Sequence, residues 1–347
     1  MIKNLRFNRN RNNTNGIFSV EDQKFFYKIL CLDDYEKELN GYRIIKEEYP
    51  VANLIFNGYI NNKKNGLLIF EYEKTIEKNH GLLVDVFSNS KSYQADEDIF
   101  DRILKVYKKA FQNSFKKTSS KTSDVFFKDR IETRLKKYYK QSFFEETGKL
   151  NFVFKKWEIK NIQFKKIISF LEKFLLNKKP EYCVLSQCDP NDLNIGIKPI
   201  VLDYLGGGYN PLMAEFAIIF WYCVAQGNYF SVIYNKKEYA DHPNIIKKID
   251  RVNFRKRKLD HSPSRKRIAF LINCIERVID PLINKMPDNY DWYGDFKNYL
   301  AMRIISVFNI STMKEKDKNL SLAYLDIFYN QLSISKTSQL IEAVKKI

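Results

Sequence analysis

The chain has 347 residues, a formal net charge of +18, and 44% hydrophobic and 15% aromatic content. That apolar fraction excludes a disordered chain, and the length suffices for two lobes around a large core. No run of about 18 uncharged apolar residues is present, so no membrane span is expected. The polar start MIKNLRFNRNRNNTNG lacks the apolar middle of a signal peptide.

Cys31, Cys183, Cys188, Cys223 and Cys274 form no C-x-x-C pair, the pattern of reduced, mostly buried thiols in a cytoplasmic protein. Histidine occurs only at 80, 242 and 261, which argues against a histidine metal site or general base. The lysine excess is spread along the chain and reads as solvated surface. Only residues 251–267, RVNFRKRKLDHSPSRKR, concentrate it. That cluster could contact nucleic acid or anionic lipid, but its only aromatic ring is Phe254, so an exposed face is preferred.

In chain order, strands are expected at Leu5–Phe7, Ile17–Val20 and Phe25–Leu30, with a polar loop over Asn8–Gly16 and a tight turn at Glu21-Asp22-Gln23. Lys28 sits inside the third strand. A helix follows in YEKELNGYRIIKEEYP, with Leu39, Tyr42 and Ile45 at three-residue spacing and Pro50 as its stop. Residues 53–59 and 67–73 read as a hairpin around Asn61–Gly66. From Asp96 the pattern turns helical, with helices expected over 96–115, 125–144 and 162–176. After the central segment, further helices are expected from Pro211 to Ala225 and over 268–283, 292–308 and 319–333.

The chemistry concentrates in EYCVLSQCDPNDLNIGIKPIVLDYLGGGYNPLMAEFA, Glu181–Ala217. An apolar run, Tyr182–Leu185, leads into a polar loop holding Asp189, Asn191, Asp192 and Asn194. A second run, Ile200–Leu202, leads into Asp203. Three glycines and an apolar helix follow. Phosphoryl transfer needs an acid to orient or deprotonate the attacking hydroxyl, and oxygen ligands for the magnesium that neutralises a triphosphate. An Asp-x-x-x-x-Asn loop followed by an Asp at the end of the next strand supplies them.

The segment resembles the aminoglycoside phosphotransferase and choline kinase superfamily. That signature reads H-G-D-x-x-x-x-N, then a strand ending in I-D-W/F, then a G-x-P-x-x-D-L-A helix start. Here it stands as Q-C-D-P-N-D-L-N (Gln187–Asn194), L-D-Y (Leu202–Tyr204) and Y-N-P-L-M-A-E-F-A (Tyr209–Ala217). Gln187, Cys188 and Glu215 depart from the usual His, Gly and Asp. A glutamine can still prop the loop by hydrogen bonding.

The resemblance implies a bilobal protein-kinase-like α+β fold. Its N-lobe, small and β-rich, would cover residues 1–73; its C-lobe, larger and mainly helical, residues 74–347, with the catalytic loop at 187–194. It implies Asp189 as the catalytic acid, Asn194 and Asp203 as magnesium ligands, and Lys28 on the ATP phosphates, held by Glu38. Backbone groups of Glu71, Tyr72 and Glu73 would meet the adenine at the hinge. The implied activity is ATP- and magnesium-dependent transfer of a phosphoryl group to a small-molecule hydroxyl. The C-terminal helices would build the acceptor site, for which PDNYDWYGDF is a candidate through Asp288, Asp291 and Asp295 beside Tyr290, Trp292 and Tyr293. The same segment also reads as an ordinary capped helix start. The rival readings are a pseudokinase, suggested by Gln187 and Cys188, and a basic nucleic-acid or membrane-surface binder acting through 251–267. The absence of A-P-E after Asp203 argues against a protein kinase.

Overall fold

The computed structural model describes all residues except 1, 11, 12, 63, 73–80, 90, 178 and 241. The expected lobe boundary at residue 73 and the hinge residue Glu73 lie outside the described residues. An antiparallel five-stranded sheet comes first, formed by β1 (Ile2–Asn10), β2 (Asn13–Val20), β3 (Gln23–Cys31), β4 (Leu54–Ile60) and β5 (Asn65–Glu71), in the order β1-β2-β3-β5-β4. In the polar Asn8–Gly16 segment, expected as a loop, residues 8–10 and 13–16 are strand. Its ladder runs on through Asn8↔Asn15, Arg9↔Thr14 and Asn10↔Asn13. The long β3 supplies partners on the other side as far as Thr14↔Ile29, so backbone pairing overrides the turn-prone composition.

Helix α1 (Leu32–Ile45) crosses this sheet and buries Tyr35, Glu38, Leu39, Tyr42 and Ile45. Tyr42 packs edge-on against Phe70 of β5 and against Tyr204 far along the chain. Gly41 is required at this crossing. A Cβ there would lie 1.9 Å from the carbonyl oxygen of Tyr204, and one on Gly207 would lie 2.7 Å from the Gly41 Cα. The α1 backbone is therefore laid directly on the segment that follows Asp203.

The rest of the chain is mainly helical: α2 (Leu83–Ser88), α3 (Glu97–Ser114), α4 (Asp124–Arg130), α5 (Gln141–Gly148), α6 (Phe164–Leu176), α7 (Leu212–Trp221), α8 (Pro243–Lys247), α9 (Arg265–Cys274), α10 (Trp292–Val307), α11 (Glu315–Asp326) and α12 (Thr337–Lys345). One short sheet joins β6 (Lys116–Thr118), β9 (Glu181–Ser186) and β10 (Gly208–Pro211). Another joins β7 (Asn151–Phe154), β8 (Trp157–Lys160), β11 (Arg251–Arg255) and β12 (Lys258–Ser262). The single helix expected over 125–144 is two. α4 widens into a π turn, Ile131–Leu135, and the chain then extends at Tyr139, whose buried hydroxyl donates to the Ile305 carbonyl at 2.6 Å.

α7 continues through a π turn to Tyr234. Leu212–Tyr234 is long and apolar enough to cross a membrane, yet 94% of its most apolar window is buried inside the protein. Phe216 stacks on Phe296 of α10, Phe220 meets Phe296 and Phe328 edge-on, and Trp221 meets Tyr324 of α11. It is the central helix of the C-lobe core. The basic stretch 251–267 is not one face. Most of it is the β11–β12 hairpin, turned by Lys256 (φ 48°) and Arg257 (φ 61°). Lys266 and Arg267, at the start of α9, are buried. Lys266 Nζ is 2.7 Å from Asp96 and also donates to Asn89 and the Val86 carbonyl.

Candidate active site

β9 ends at Ser186 and delivers the polar loop. Cys188 takes a left-handed φ of 68° and packs on Gly206, where a Cβ would come within 2.3 Å of its own. The Asp189 carbonyl oxygen then gathers three donors: Gln187 Nε2 at 3.1 Å, Asn194 Nδ2 at 3.1 Å and the Asn191 amide at 2.7 Å. Gln187 thus ties the loop by a hydrogen bond, and Asn194 folds back across it. Asn191 Nδ2 donates to Asp189 Oδ2 at 3.0 Å, leaving the Asp189 carboxylate 39% exposed.

The chain returns through a tight hairpin. The Gly196 amide donates to the Ile200 carbonyl at 2.8 Å and the Leu202 amide to the Asn194 carbonyl at 2.9 Å. This pairing sets Asn194 beside the Leu202-Asp203 step. Asp203 has a φ of 66° and a 46% exposed side chain. Lys28 reaches it from β3: its Nζ lies 3.2 Å from Asp203 Oδ1 and 2.5 Å from Glu38 Oε1. The Tyr204 amide also donates to Glu38 Oε1, at 3.2 Å. Glu38 is sealed, with its side chain 2% exposed. Burial pushes its carboxyl up to about 7, with Lys28 acting against the shift and Asp203 adding to it. Burial alone would lower the Lys28 ammonium, but the two carboxylates outweigh it and its pKa is raised.

Lys28, Glu38 and Asp203 therefore meet in one cluster, and Asp189 and Asn194 share one loop bonded to its other side. At the expected hinge, the Glu71 amide donates to the Asn53 carbonyl at 2.9 Å and the Tyr72 amide to Lys24 at 3.1 Å. Those two donors are taken up by the sheet, and the Glu71 carboxylate accepts from Gln23 and Asn53. An adenine contact here would fall to carbonyl groups. The segment 287–296 is a helix start, not an open acid-aromatic pocket. Asp291 caps α10 through the Gly294 amide at 2.8 Å, and Asp295 is held by Lys179 at 2.7 Å and Tyr290 at 2.5 Å. Trp292 and Tyr293 are buried and bond the carbonyls of Ser335 and Phe328.

Arg303 was not singled out by the sequence, and Asp192, Arg267 and Glu215 were named there without the partners they have here. Arg303 Nη2 lies 3.1 Å from Asp189 Oδ1, and its Nε donates to Gln226 at 3.1 Å. Its signal was a lone arginine inside the apolar run of α10. Asp192, three residues past Asp189, is buried in an ion pair with Arg267, whose guanidinium lies 4.3 Å from the centre of the Phe87 ring. Room for that guanidinium comes from the π turn of α7, where a Cβ on Gly227 would lie 2.5 Å from Arg267 Nη1. Glu215 lies in the first turn of α7, fully buried. Burial pushes it up to about 8, with the Ser186 hydroxyl and Arg303 opposing and Asp189 adding to the shift.

No group of three or more His, Cys, Asp or Glu side chains among the described residues could hold a metal by itself. Asn194 and Asp203 offer two oxygens. Among the described residues, neither the Asn194 side-chain oxygen nor Asp203 Oδ2 is engaged in a hydrogen bond. Two hard oxygens on partly exposed side chains suit magnesium, which would complete its shell with phosphate and water oxygens.

The sheet lobe, the helical lobe and the acidic cluster between them define a bilobal protein-kinase-like fold. Solved structures narrow the fold further, to one similar to that of an aminoglycoside phosphotransferase. A thermostable mutant of aminoglycoside phosphotransferase APH(4)-Ia in its apo form superposes with a TM-score of 0.52 at 9% identity, over 94% of this chain and 94% of that one. A mutant of the same enzyme in ternary complex with ADP and hygromycin B gives 0.52 at 8% identity, over 94% and 93%. No family model matches the sequence, and no curated protein matches it.

Proposed function

We propose that the protein is an ATP- and magnesium-dependent phosphotransferase that moves the γ-phosphoryl group to a hydroxyl of a small molecule. The observation that carries this reading is the Lys28–Glu38–Asp203 cluster. It joins residues 10 and 175 positions apart in sequence, with the Asp189–Asn194 loop beside it. A lysine drawn this far from a solvated surface serves to position phosphate oxygens. Glu38, fixed by the Tyr204 amide, keeps it extended toward the cleft. Asp189 presents a half-open carboxylate as the acceptor of the hydroxyl proton. Asn194 and Asp203 would hold a magnesium ion, whose charge would neutralise the triphosphate. Catalysis then rests on positioning and charge neutralisation. The nucleotide-bound state of the APH(4)-Ia structure, with the same fold, supports ATP use here.

The test is magnesium-dependent ATP consumption by the purified protein against a panel of small-molecule alcohols, with Asp189→Asn in parallel. The reading expects an alcohol-stimulated rate that falls about 10²- to 10⁴-fold in the variant. An unchanged rate in Asp189→Asn would remove that residue from the chemistry.

A further inference from the structure

Arg303 lies between Met302 and Ile304 on α10, and its side chain is only 5% exposed. α10 packs along α7, and the π turn Tyr222–Phe230 that continues α7 builds a cradle for the guanidinium. Gln226, itself buried, accepts from Arg303 Nε at 3.1 Å, and the Tyr222 ring centre lies 5.4 Å from the guanidinium carbon. Nη2 is thereby aimed at Asp189 Oδ1, 3.1 Å away. Asn191 Nδ2 takes the other oxygen, Oδ2, at 3.0 Å. A buried guanidinium is costly unless its donors are matched, so this one is held at definite points. An aspartate left to itself is the opposite case, because the torsion that turns its carboxylate is soft. Two donors on two different oxygens remove that freedom, and each oxygen keeps a lone pair for a further donor. The pairing is lopsided, with the arginine sealed and the carboxylate 39% exposed. An ion pair that only bound the loop to the core would be closed on both sides, as Asp192 and Arg267 are.

We infer that Arg303 is a positioning residue for Asp189. Cradled by Gln226 and Tyr222, it fixes the plane of the Asp189 carboxylate so that the remaining lone pairs stay open to the acceptor hydroxyl. The inference rests on the phosphotransferase reading and adds to it a residue 114 positions away from the acid it serves. Arg303 acts only through Asp189, so its contribution belongs to the transfer step. Nucleotide binding falls instead to Lys28, Glu38 and Asp203, which are held by one another and by the Tyr204 amide. The same π turn gives Arg267 its room beside Gly227, so one stretch of widened helix sets an arginine on each of the two acids of the loop.

The experiment measures steady-state phosphoryl transfer by the whole protein, with the alcohol of the panel that the parent uses best. The proteins compared are the parent, Arg303→Met, Gln226→Leu, Asp189→Asn and the double variant Asp189→Asn with Arg303→Met. Thermal melts and calorimetric binding of Mg·AMP-PNP run alongside. Positioning predicts that Arg303→Met lowers kcat about 10- to 100-fold, while the KM for ATP and the Mg·AMP-PNP affinity change about twofold or less. Gln226→Leu should move in the same direction by less. In the Asp189→Asn background the arginine has no carboxylate left to orient, so the double variant should match Asp189→Asn within about twofold. Should Arg303→Met melt without a cooperative transition, Gln226→Leu carries the same comparison, alone and combined with Asp189→Asn. The inference is overturned by an unchanged kcat in the single variants, by a loss that shows in the KM for ATP instead, or by a double variant that multiplies the two losses. A parent that transfers phosphate to no alcohol of the panel would overturn the phosphotransferase reading itself, and the role of Arg303 with it. An active parent with multiplied losses overturns that role alone.

Discussion

Asp189 and Asp192 lie three residues apart in one loop, and each meets an arginine. Asp189 is 39% exposed and faces Arg303 across 3.1 Å; Asp192 is 2% exposed and closes on the fully buried Arg267. The difference lies in solvent, not in the partner. The sealed pair fixes the loop to α9 and the π turn of α7, where a lost charge has nowhere to go. The open pair can exchange its partner for a ligand, because water reaches the Asp189 carboxylate. One loop thus carries an anchor and the proposed catalytic acid, separated by a single turn of chain.

Cutting each pair should separate those roles. Asp192→Asn leaves Arg267 buried and uncompensated, and should cost about 3–5 kcal/mol of stability, measured by urea denaturation. Asp189→Asn should leave the midpoint within about 1 kcal/mol while removing the reaction. Equal losses of stability in the two variants would dissolve the distinction. Gly41→Ala drives a Cβ into the Tyr204 carbonyl and should displace α1 from the Asp203 segment. The expected cost is at the upper end of about 1–3 kcal/mol, with weaker Mg·AMP-PNP binding because Glu38 moves with the helix.

Glu215 offers a smaller, pH-dependent effect. Its folded pKa of about 8 lies above the ordinary value of 4.5, so the folded state binds the extra proton between those limits. Its contribution is fully present below 4.5 and is lost as pH rises through 8. Relative to the parent, Glu215→Gln should therefore gain stability progressively as pH rises from 5 to 8. A difference that is flat across that range would contradict the assignment. The smallest effect is expected at the β11–β12 turn. Lys256→Asn with Arg257→Gly suits two left-handed positions and should add about 1 kcal/mol or less, without changing nucleotide binding.

Much of this was legible in the chain. The run from Gln187 to Asp203 announced the loop and the apolar run that returns to Asp203, because its acids and amides stand at motif spacing between two apolar runs. Lys28 was legible only through that motif, since a lysine in a strand is ordinarily a surface group. What stayed hidden was long-range. Nothing local in RVNFRKRKLDHSPSRKR separates Arg267, a core anchor, from Arg255 or Lys258 on an exposed hairpin. Nothing in Asp192 distinguishes it from Asp189 until their partners, 75 and 114 residues away, come into contact. The Asn8–Gly16 segment misled for a related reason: its residues favour turns, but residues 8–10 pair with β2 and residues 14–16 also pair with β3.

The central claim is that Lys28, Glu38, Asn194 and Asp203 form one nucleotide site closed by magnesium. The most direct measurement is calorimetric binding of AMP-PNP to the parent and to Asp203→Asn, each with and without magnesium. The account predicts binding that requires magnesium in the parent and is weakened at least tenfold by the substitution. Binding that ignores both the cation and Asp203, or no binding to the parent at all, would contradict it.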